Sequence, residues 1–254
     1  MIALKSQREI HLIQKGAEIL KQVFREVKSA VRPGIRTEEL DVIAERVIRQ
    51  SGGKPAFKGY RGFPKTACIS VNEEVVHGIP GPRVLEKGDI VSFDIGVLLE
   101  GFYSDAARTW PVGEISETKS RLIETAKKAL EIGLDEYQPG WRIGDLSACI
   151  QQFIEAQGFQ VVRDYVGHGI GRNIHEDPQV PNYGSPGRGP KIEEGLVIAI
   201  EPMVTEGHFA VETLEDGWTV VTRDRKLSSH YEDTVAFMEG RVVSLTGDSN
   251  GSGV

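Results

Sequence analysis

Leu85-Glu86-Lys87-Gly88 runs through Asp89-Ile90-Val91-Ser92-Phe93 to Asp94, and Ile192-Glu193-Glu194-Gly195 runs through Leu196-Val197-Ile198-Ala199-Ile200 to Glu201. The two stretches repeat one pattern: a charged turn, a short apolar run, then a carboxylate. Each is followed by a second acid in a Tyr-containing strand, Asp105 in Tyr103-Ser104-Asp105 and Glu232 in Tyr231-Glu232. With the Gly-flanked His168, the set is two Asp, two Glu and one His. That donor set suits a pair of divalent cations held between matching half-sheets. A shared two-metal site points to hydrolysis.

The repeat extends beyond the acids. Pro33-Gly34-Ile35-Arg36 precedes Leu40, and Pro139-Gly140-Trp141-Arg142 precedes Leu146, at an offset of 106 residues. The same frame aligns Val47 with Phe153, Ile48 with Ile154 and Gly52 with Gly158. The offset is 107 at Asp94 and Glu201 but 127 at Asp105 and Glu232, so the second half holds an insertion of about twenty residues. Two copies at so long a period read as a duplication within one domain, residues 1–246, with halves of about 6–111 and 112–246. The Gly/Ser-rich segment 247–254 reads as a frayed tail.

Composition narrows the function. Net charge is -7 with no long basic run, so no nucleic-acid partner is expected. Cys68 and Cys149 form no framework of pairs, which favours a reducing compartment. Met1 to Glu9 lacks a signal-peptide pattern, and no apolar run is long enough to span a bilayer. A soluble, cytoplasmic protein is expected.

Ser6-Gln7-Arg8-Glu9 is a capping box. It opens a helix carrying Ile13, Ala17, Leu20, Phe24, Val27 and Val31 at helical spacing, ended by Pro33-Gly34. A second helix is expected over about 38–50, and the pair recurs over about 117–137 and 145–157. Strands are expected at 66–71, 89–99, 101–110, 161–165, 196–202, 218–222, 231–238 and 241–245. A two-residue turn at Glu100-Gly101 would set Asp94 opposite Ala107, with Asp105 as its same-face diagonal neighbour. A slip of one residue would put the two acids on opposite faces. Helices in pairs and short strands give an α+β fold, with helices covering one face of a curved, mainly antiparallel sheet.

An Asp inside Val91-Ser92-Phe93-Asp94-Ile95 needs a cation or good hydrogen bonds to offset desolvation, and Glu201 makes the same argument. Glu232 taken alone could face solvent; it gains weight as a ligand only from the repeat. Glycines beside His168 permit the close backbone approach of a crowded metal site. Gly167-His168-Gly169-Ile170-Gly171 is not a dinucleotide fingerprint, because Arg172 stands where the third Gly belongs. His77 and His175 each precede a Pro by three residues, in loops one per half. They read as turn histidines or, beside a two-metal site, as contacts to a scissile peptide. His11, His208 and His230 have no comparable context. Four carboxylates balance two divalent ions, and oxygen ligands with one imidazole suit Mn, Fe or Co and tolerate Zn.

Val71-Asn72-Glu73-Glu74-Val75-Val76-His77-Gly78-Ile79-Pro80, Gly167-His168-Gly169-Ile170-Gly171 with His175-Glu176, Ile200-Glu201-Pro202-Met203, and Tyr231-Glu232 resemble the type I methionine aminopeptidases of metallopeptidase family M24. The resemblance covers about Ser6 to Leu245. It implies the pita-bread fold, with a pseudo-two-fold relating the halves, and no N-terminal zinc-binding or proline-rich extension. It implies two divalent ions held by Asp94, Asp105, His168, Glu201 and Glu232, and attack of a metal-bound hydroxide on the first peptide bond, with Glu201 moving the proton. His175 would bind the substrate carbonyl and support the oxyanion. His77 would contact the scissile peptide and help the leaving amine, while the free N-terminal amine would sit near Asp94. The methionine pocket would be Phe57, Tyr60, Phe63, Cys68, Ile174 and Trp218, where sulfur–aromatic contacts add ~0.3–1.5 kcal/mol. Phe57 and Phe63 read equally well as ordinary core.

The implied partners are N-terminal Met peptides of nascent proteins, best with a small second residue, and the ribosome; a monomer is expected. Arg61, Ile174, His230 and Asp233 depart from the family pattern, where His, an aromatic residue, Gln and His are common. Those changes spare the ligands and both loop histidines. A proline-directed peptidase of the same fold is the nearest rival, and a non-catalytic binding protein on this fold is the rival from another class.

Overall fold

The computed structural model describes residues 2–247, so the tail expectation for 248–254 lies outside the described residues. Among the described residues four α-helices are formed: α1 (Gln7–Ala30), α2 (Thr37–Gln50), α3 (Glu117–Asp135) and α4 (Ile143–Ala156). The strands that build the centre are β1 (Ala67–Val71), β2 (Ile90–Leu99), β3 (Phe102–Pro111), β4 (Gly167–Gly169), β5 (Val197–Ile200), β6 (Met203–Thr205), β7 (Ser228–His230) and β8 (Glu232–Met238).

The Ser6–Glu9 capping box forms as the sequence suggests, each side chain satisfying a backbone donor of the other. The turn between β2 and β3 has left-handed backbone at both Glu100 (φ 49) and Gly101 (φ 84), the conformation of a tight hairpin. It fixes the register, with Asp94 opposite Ala107 and Asp105 opposite Gly96, so both acids lie on one face.

The main sheet is antiparallel and reads the same from both ends. β1 pairs with β2, β2 with β3, β3 with β8, β8 with β5 and β5 with β4. The pseudo-two-fold therefore passes between β3 and β8, where Ala107 faces Glu232 and Ala106 faces Asp233. Each half has its own core. Leu20, Phe24, Leu40, Ile48, Phe93, Ile95 and Trp110 pack in the first, and Leu122, Leu130, Leu146, Ile150, Ile198, Ile200 and Phe237 in the second. A smaller cluster of Ile10, Ile13, Phe102, Ile170, Val197 and Ala236 joins α1 to the second half. Strand alternation does the rest: with Phe93 and Ile95 turned to the helices, Asp94 faces away; with Ile198 and Ile200 turned to theirs, Glu201 faces away.

Several boundaries differ from the sequence reading. A strand over 161–165 is replaced by two residues, Gln160–Val161. The chain then leaves the sheet: Arg163 packs its guanidinium over the rings of Phe209 and Tyr183, and Tyr165 reaches His77. The expected strand over 231–238 is preceded by β7, with the break at Tyr231. The Gly/Pro-rich stretch after 165 contains β4 and the strand Glu176–Val180, which composition hid.

Candidate metal centre and substrate cleft

β2 and β3 supply Asp94 and Asp105, β4 supplies His168, the residue after β5 is Glu201, and β8 opens with Glu232. Single ligand atoms of Asp105, His168 and Glu232 lie within 4.8 Å of one another. His168 Nε2 is 3.7 Å from Glu201 Oε1, which draws the fourth residue to the same point. Asp105, His168 and Glu232 are buried, whereas Asp94 and Glu201 are half-buried. The glycines flanking His168 act as expected: a Cβ at Gly167 would strike the Ala199 carbonyl, and one at Gly169 the Asp177 carbonyl.

Backbone clamps set the acids in place. The Thr234 hydroxyl accepts from Asp105 N–H and donates to Asp105 O, at 2.9 and 2.8 Å. Asn182 donates its side-chain amide to Glu201 O at 3.0 Å. Behind the sheet, Arg108 donates to Ala107 O, Glu232 O and Thr246 O, and pairs with Asp233 at 2.7 Å. This buried pair crosses the seam between the halves.

The chemistry of the donors fits divalent ions. Asp94 Oδ1, Asp105 Oδ1 and Glu232 Oε1 are buried with no hydrogen-bond partner. Burial, then mutual repulsion of the acids, raises the pKa of Asp94, Glu201 and Glu232 well above the carboxylate range; burial lifts Asp105 to about 7. Such a cluster ionises at neutral pH only beside cations. His168 Nδ1 donates to Gly169 O at 3.0 Å, which leaves the Nε2 lone pair free to bind a metal. Burial first, then His175, lowers the His168 pKa to about 4, so the ring is neutral as a ligand must be.

The other expected residues surround this cluster. His175 stacks on Tyr60 (5.3 Å), receives or gives a 2.9 Å hydrogen bond through Nδ1 to the Tyr60 hydroxyl, and lies 4.3 Å from the His168 ring. His77 sits edge-on to Trp218 and Tyr165, and Trp218 edge-on to Phe63. His77 adopts left-handed backbone (φ 60), a conformation that costs about 1–3 kcal/mol and clusters at functional sites. Cys68 lies opposite Asp94 across β1 and β2, and burial beside that acid pushes its thiol well up. Phe57 and Ile174 close over Gly96. A cavity of about 370 Å³ is lined by His175 with Lys5, Glu9, Phe102, Arg172 and Glu176 and by none of the five candidate ligands; another, of about 460 Å³, lies between the end of α1 and the start of α2.

Two residues escaped the sequence reading. Tyr165 is one. The other is His230, fully buried, with Nε2 3.9 Å from Glu201 Oε2. Its place two residues before Glu232 is the signal that could have found it, since such residues share a strand face.

A family model described as metallopeptidase family M24 matches residues 11–239. The chain belongs to metallopeptidase family M24. Among its M24 relatives, the methionine aminopeptidase of Clostridium perfringens is 56% identical over 246 residues, covering 97% of this chain and 99% of that protein. The crystal structure of a methionine aminopeptidase from Thermotoga maritima superposes with a TM-score of 0.96 at 44% identity, covering 98% and 100%. The prolidase of Pyrococcus furiosus superposes with a TM-score of 0.79 at 25% identity; the match covers 97% of this chain and 66% of that one. This M24 chain therefore has the pita-bread fold and is a metal-dependent peptide hydrolase of the methionine aminopeptidase group. Among the described residues no helix is long and apolar enough to cross a membrane.

Proposed function

We propose that the protein removes the N-terminal initiator methionine from new chains, best where the second residue is small. The observation that carries this is the cluster of four buried or half-buried acids and one metal-ready imidazole, ringed by an apolar and aromatic cleft. Asp94, Asp105, His168, Glu201 and Glu232 would hold two divalent ions, of Mn, Fe, Co or Zn. When bound, the ions supply an activated water and a Lewis acid for the carbonyl oxygen.

Glu201, at the open side, holds and passes on the proton of the attacking water. His175, set by Tyr60, donates to the carbonyl oxygen as charge develops there. His77 meets the scissile nitrogen as it leaves. The free amine of the substrate lies beside Asp94, which restricts the reaction to chain ends. Phe63, Cys68 and Trp218 line the methionine side chain, with Phe57, Tyr60 and Ile174 closing the other wall. A single domain over 1–246, a monomer in a cytoplasmic setting, and encounter with chains at the ribosome complete the reading; two free cysteines suit that compartment.

The test adds Mn, Co, Fe or Zn to metal-free protein and follows Met-Ala-Ser, Met-Lys-Ser and Ala-Pro-Ser by mass spectrometry. Release of Met from Met-Ala-Ser alone, reversed by chelator, is expected. Cleavage of only Ala-Pro-Ser would move the protein to the proline-directed branch. Glu201→Ala and His168→Ala should fold and lose at least about 10²–10⁴ in kcat; full metal-dependent activity in either would sink the assignment.

A further inference from the structure

The centre contains an orphaned buried ring nitrogen that the five expected ligands do not explain. Beside the oxygens of Asp94, Asp105 and Glu232, His230 Nε2 is buried with no hydrogen-bond partner. It faces Glu201 Oε2 at 3.9 Å, while His168 Nε2 faces the other oxygen, Oε1, at 3.7 Å. Two imidazoles thus bracket one carboxylate. We propose that His230 is a positioning residue of this centre, its Nε2–H aimed at Glu201 so as to fix the orientation of that carboxylate.

The placement is built, not incidental. Thr109 Oγ1 accepts from His230 N–H at 3.0 Å and donates to His230 O at 2.8 Å. Its single proton is thereby used, so Ser92, 2.8 Å away, donates to it. Ser92 faces Thr109 across β2 and β3, the hairpin that carries Asp94 and Asp105. His230 also pairs with Met203, two residues past Glu201. The imidazole is therefore tied by backbone to both halves, and Tyr231 N–H on Pro202 O holds the next residue to the Glu201 loop.

Chemistry separates the two imidazoles. His168 spends its Nδ1–H on Gly169 O and offers a lone pair at Nε2. His230 Nε2 meets Glu201, which is ionised when the centre holds its cations, and an ionised carboxylate repels a lone pair and attracts an N–H. Closing the bond takes a shift of about 1 Å from the present separation. The same ring atom thus serves as metal ligand in one histidine and as hydrogen-bond donor in the other. His230 stands where the family commonly has Gln, a side chain that also offers an N–H at its tip.

The inference rests on the proposed role of the centre, so the test separates the two. The ¹⁵N spectrum of histidine-labelled protein, metal-free and zinc-loaded, gives the tautomer of each ring, with His230 assigned by its loss in His230→Gln. In the zinc-loaded protein an Nε2–H tautomer for His230 and an Nδ1–H tautomer for His168 are expected. Zinc calorimetry and Met-Ala-Ser kinetics are then measured on His230→Phe and His230→Gln. The Phe variant should lose about 10–100-fold in zinc affinity or kcat, with KM within about twofold, and the Gln variant should recover most of the loss. A purely structural role would leave both quantities unchanged in whatever protein folds. Wild-type zinc affinity and kcat in the Phe variant, or an Nδ1–H tautomer at His230 in the zinc-loaded protein, overturns the inference. The tautomer decides if the Phe variant does not fold. Absence of zinc binding by the wild-type protein would instead sink the reading of the centre itself.

Discussion

In the first half, Asp94 and Asp105 ride on two ten-residue strands joined by a two-residue turn. In the second, His168, Glu201 and Glu232 come from strands of three, four and seven residues. The first pair is placed mainly by local register: once Glu100-Gly101 turns, every side chain of the hairpin has its face assigned, and Thr234 adds one clamp on the Asp105 backbone. The second trio is placed by approach and clamping, through the bare backbones of Gly167 and Gly169, Asn182 on Glu201 O, and Arg108 on Glu232 O. Equivalent acids can thus be delivered by continuous pairing or by side-chain clamps. The second route leaves room for the insertion of about twenty residues that the second half holds between Glu201 and Glu232.

The largest expected effect lies where the halves meet. Arg108→Ala leaves the buried Asp233 without its cation, with only the Ser244 and Thr246 hydroxyls donating to it, and should cost about 3–5 kcal/mol in denaturant unfolding. Arg108→Ala with Asp233→Ala should cost less than the sum of the two single changes, because neither then leaves a lone charge. A loss under about 1 kcal/mol for Arg108→Ala would mean that the seam does not depend on this pair.

Next comes a difference between the halves. Asp41 on α2 accepts from Thr66 N–H and Ala67 N–H, at 2.9 and 2.8 Å, where β1 begins. The matching helix position in the second half is Ser147, whose single hydroxyl proton is shared between Ile143 O and Pro181 O. Asp41→Ala orphans two buried donors and should cost about 1–3 kcal/mol, against about 0.5–1.5 kcal/mol for Ser147→Ala. Equal costs would show that the halves are clamped alike.

The smallest effect is in pH. Folding raises the pKa of Asp94, Glu201 and Glu232 and brings Asp105 to about 7, so the metal-free folded state keeps protons that the unfolded chain has released. Those groups make stability fall as pH rises from the ordinary carboxylate range through their folded pKa. His77 and His168, lowered to about 4, and His230, lowered to about 3, act oppositely below their usual value of 6.5. Above 6.5 only the acids remain, so the metal-free melting temperature should drop between about pH 6.5 and 8. Added Zn should abolish the drop. A flat metal-free profile would mean that the acids are already ionised and hydrated.

Much of the centre was legible in the chain. Asp94 and Glu201 interrupt apolar strands after matched turns, a conflict with local pattern that only function resolves. The repeat supplied Glu232, and the glycines pointed to His168. His230 was legible only in its spacing of two from Glu232; the hydroxyl that anchors its backbone, Thr109, lies 121 residues away. The Arg108–Asp233 pair, 125 residues apart, was hidden.

The sequence by itself determined the duplication, the helix pairs and the hairpin that carries two acids, because caps, turns and strand alternation act over a few residues. It also marked both loop histidines. Only the tertiary structure decided that the seam falls between β3 and β8, that a charged pair closes it from behind, and that His230 and Tyr165 join the cleft. Those facts depend on which distant backbones meet. That is set by the burial of two cores against one sheet, not by the local pattern of residues.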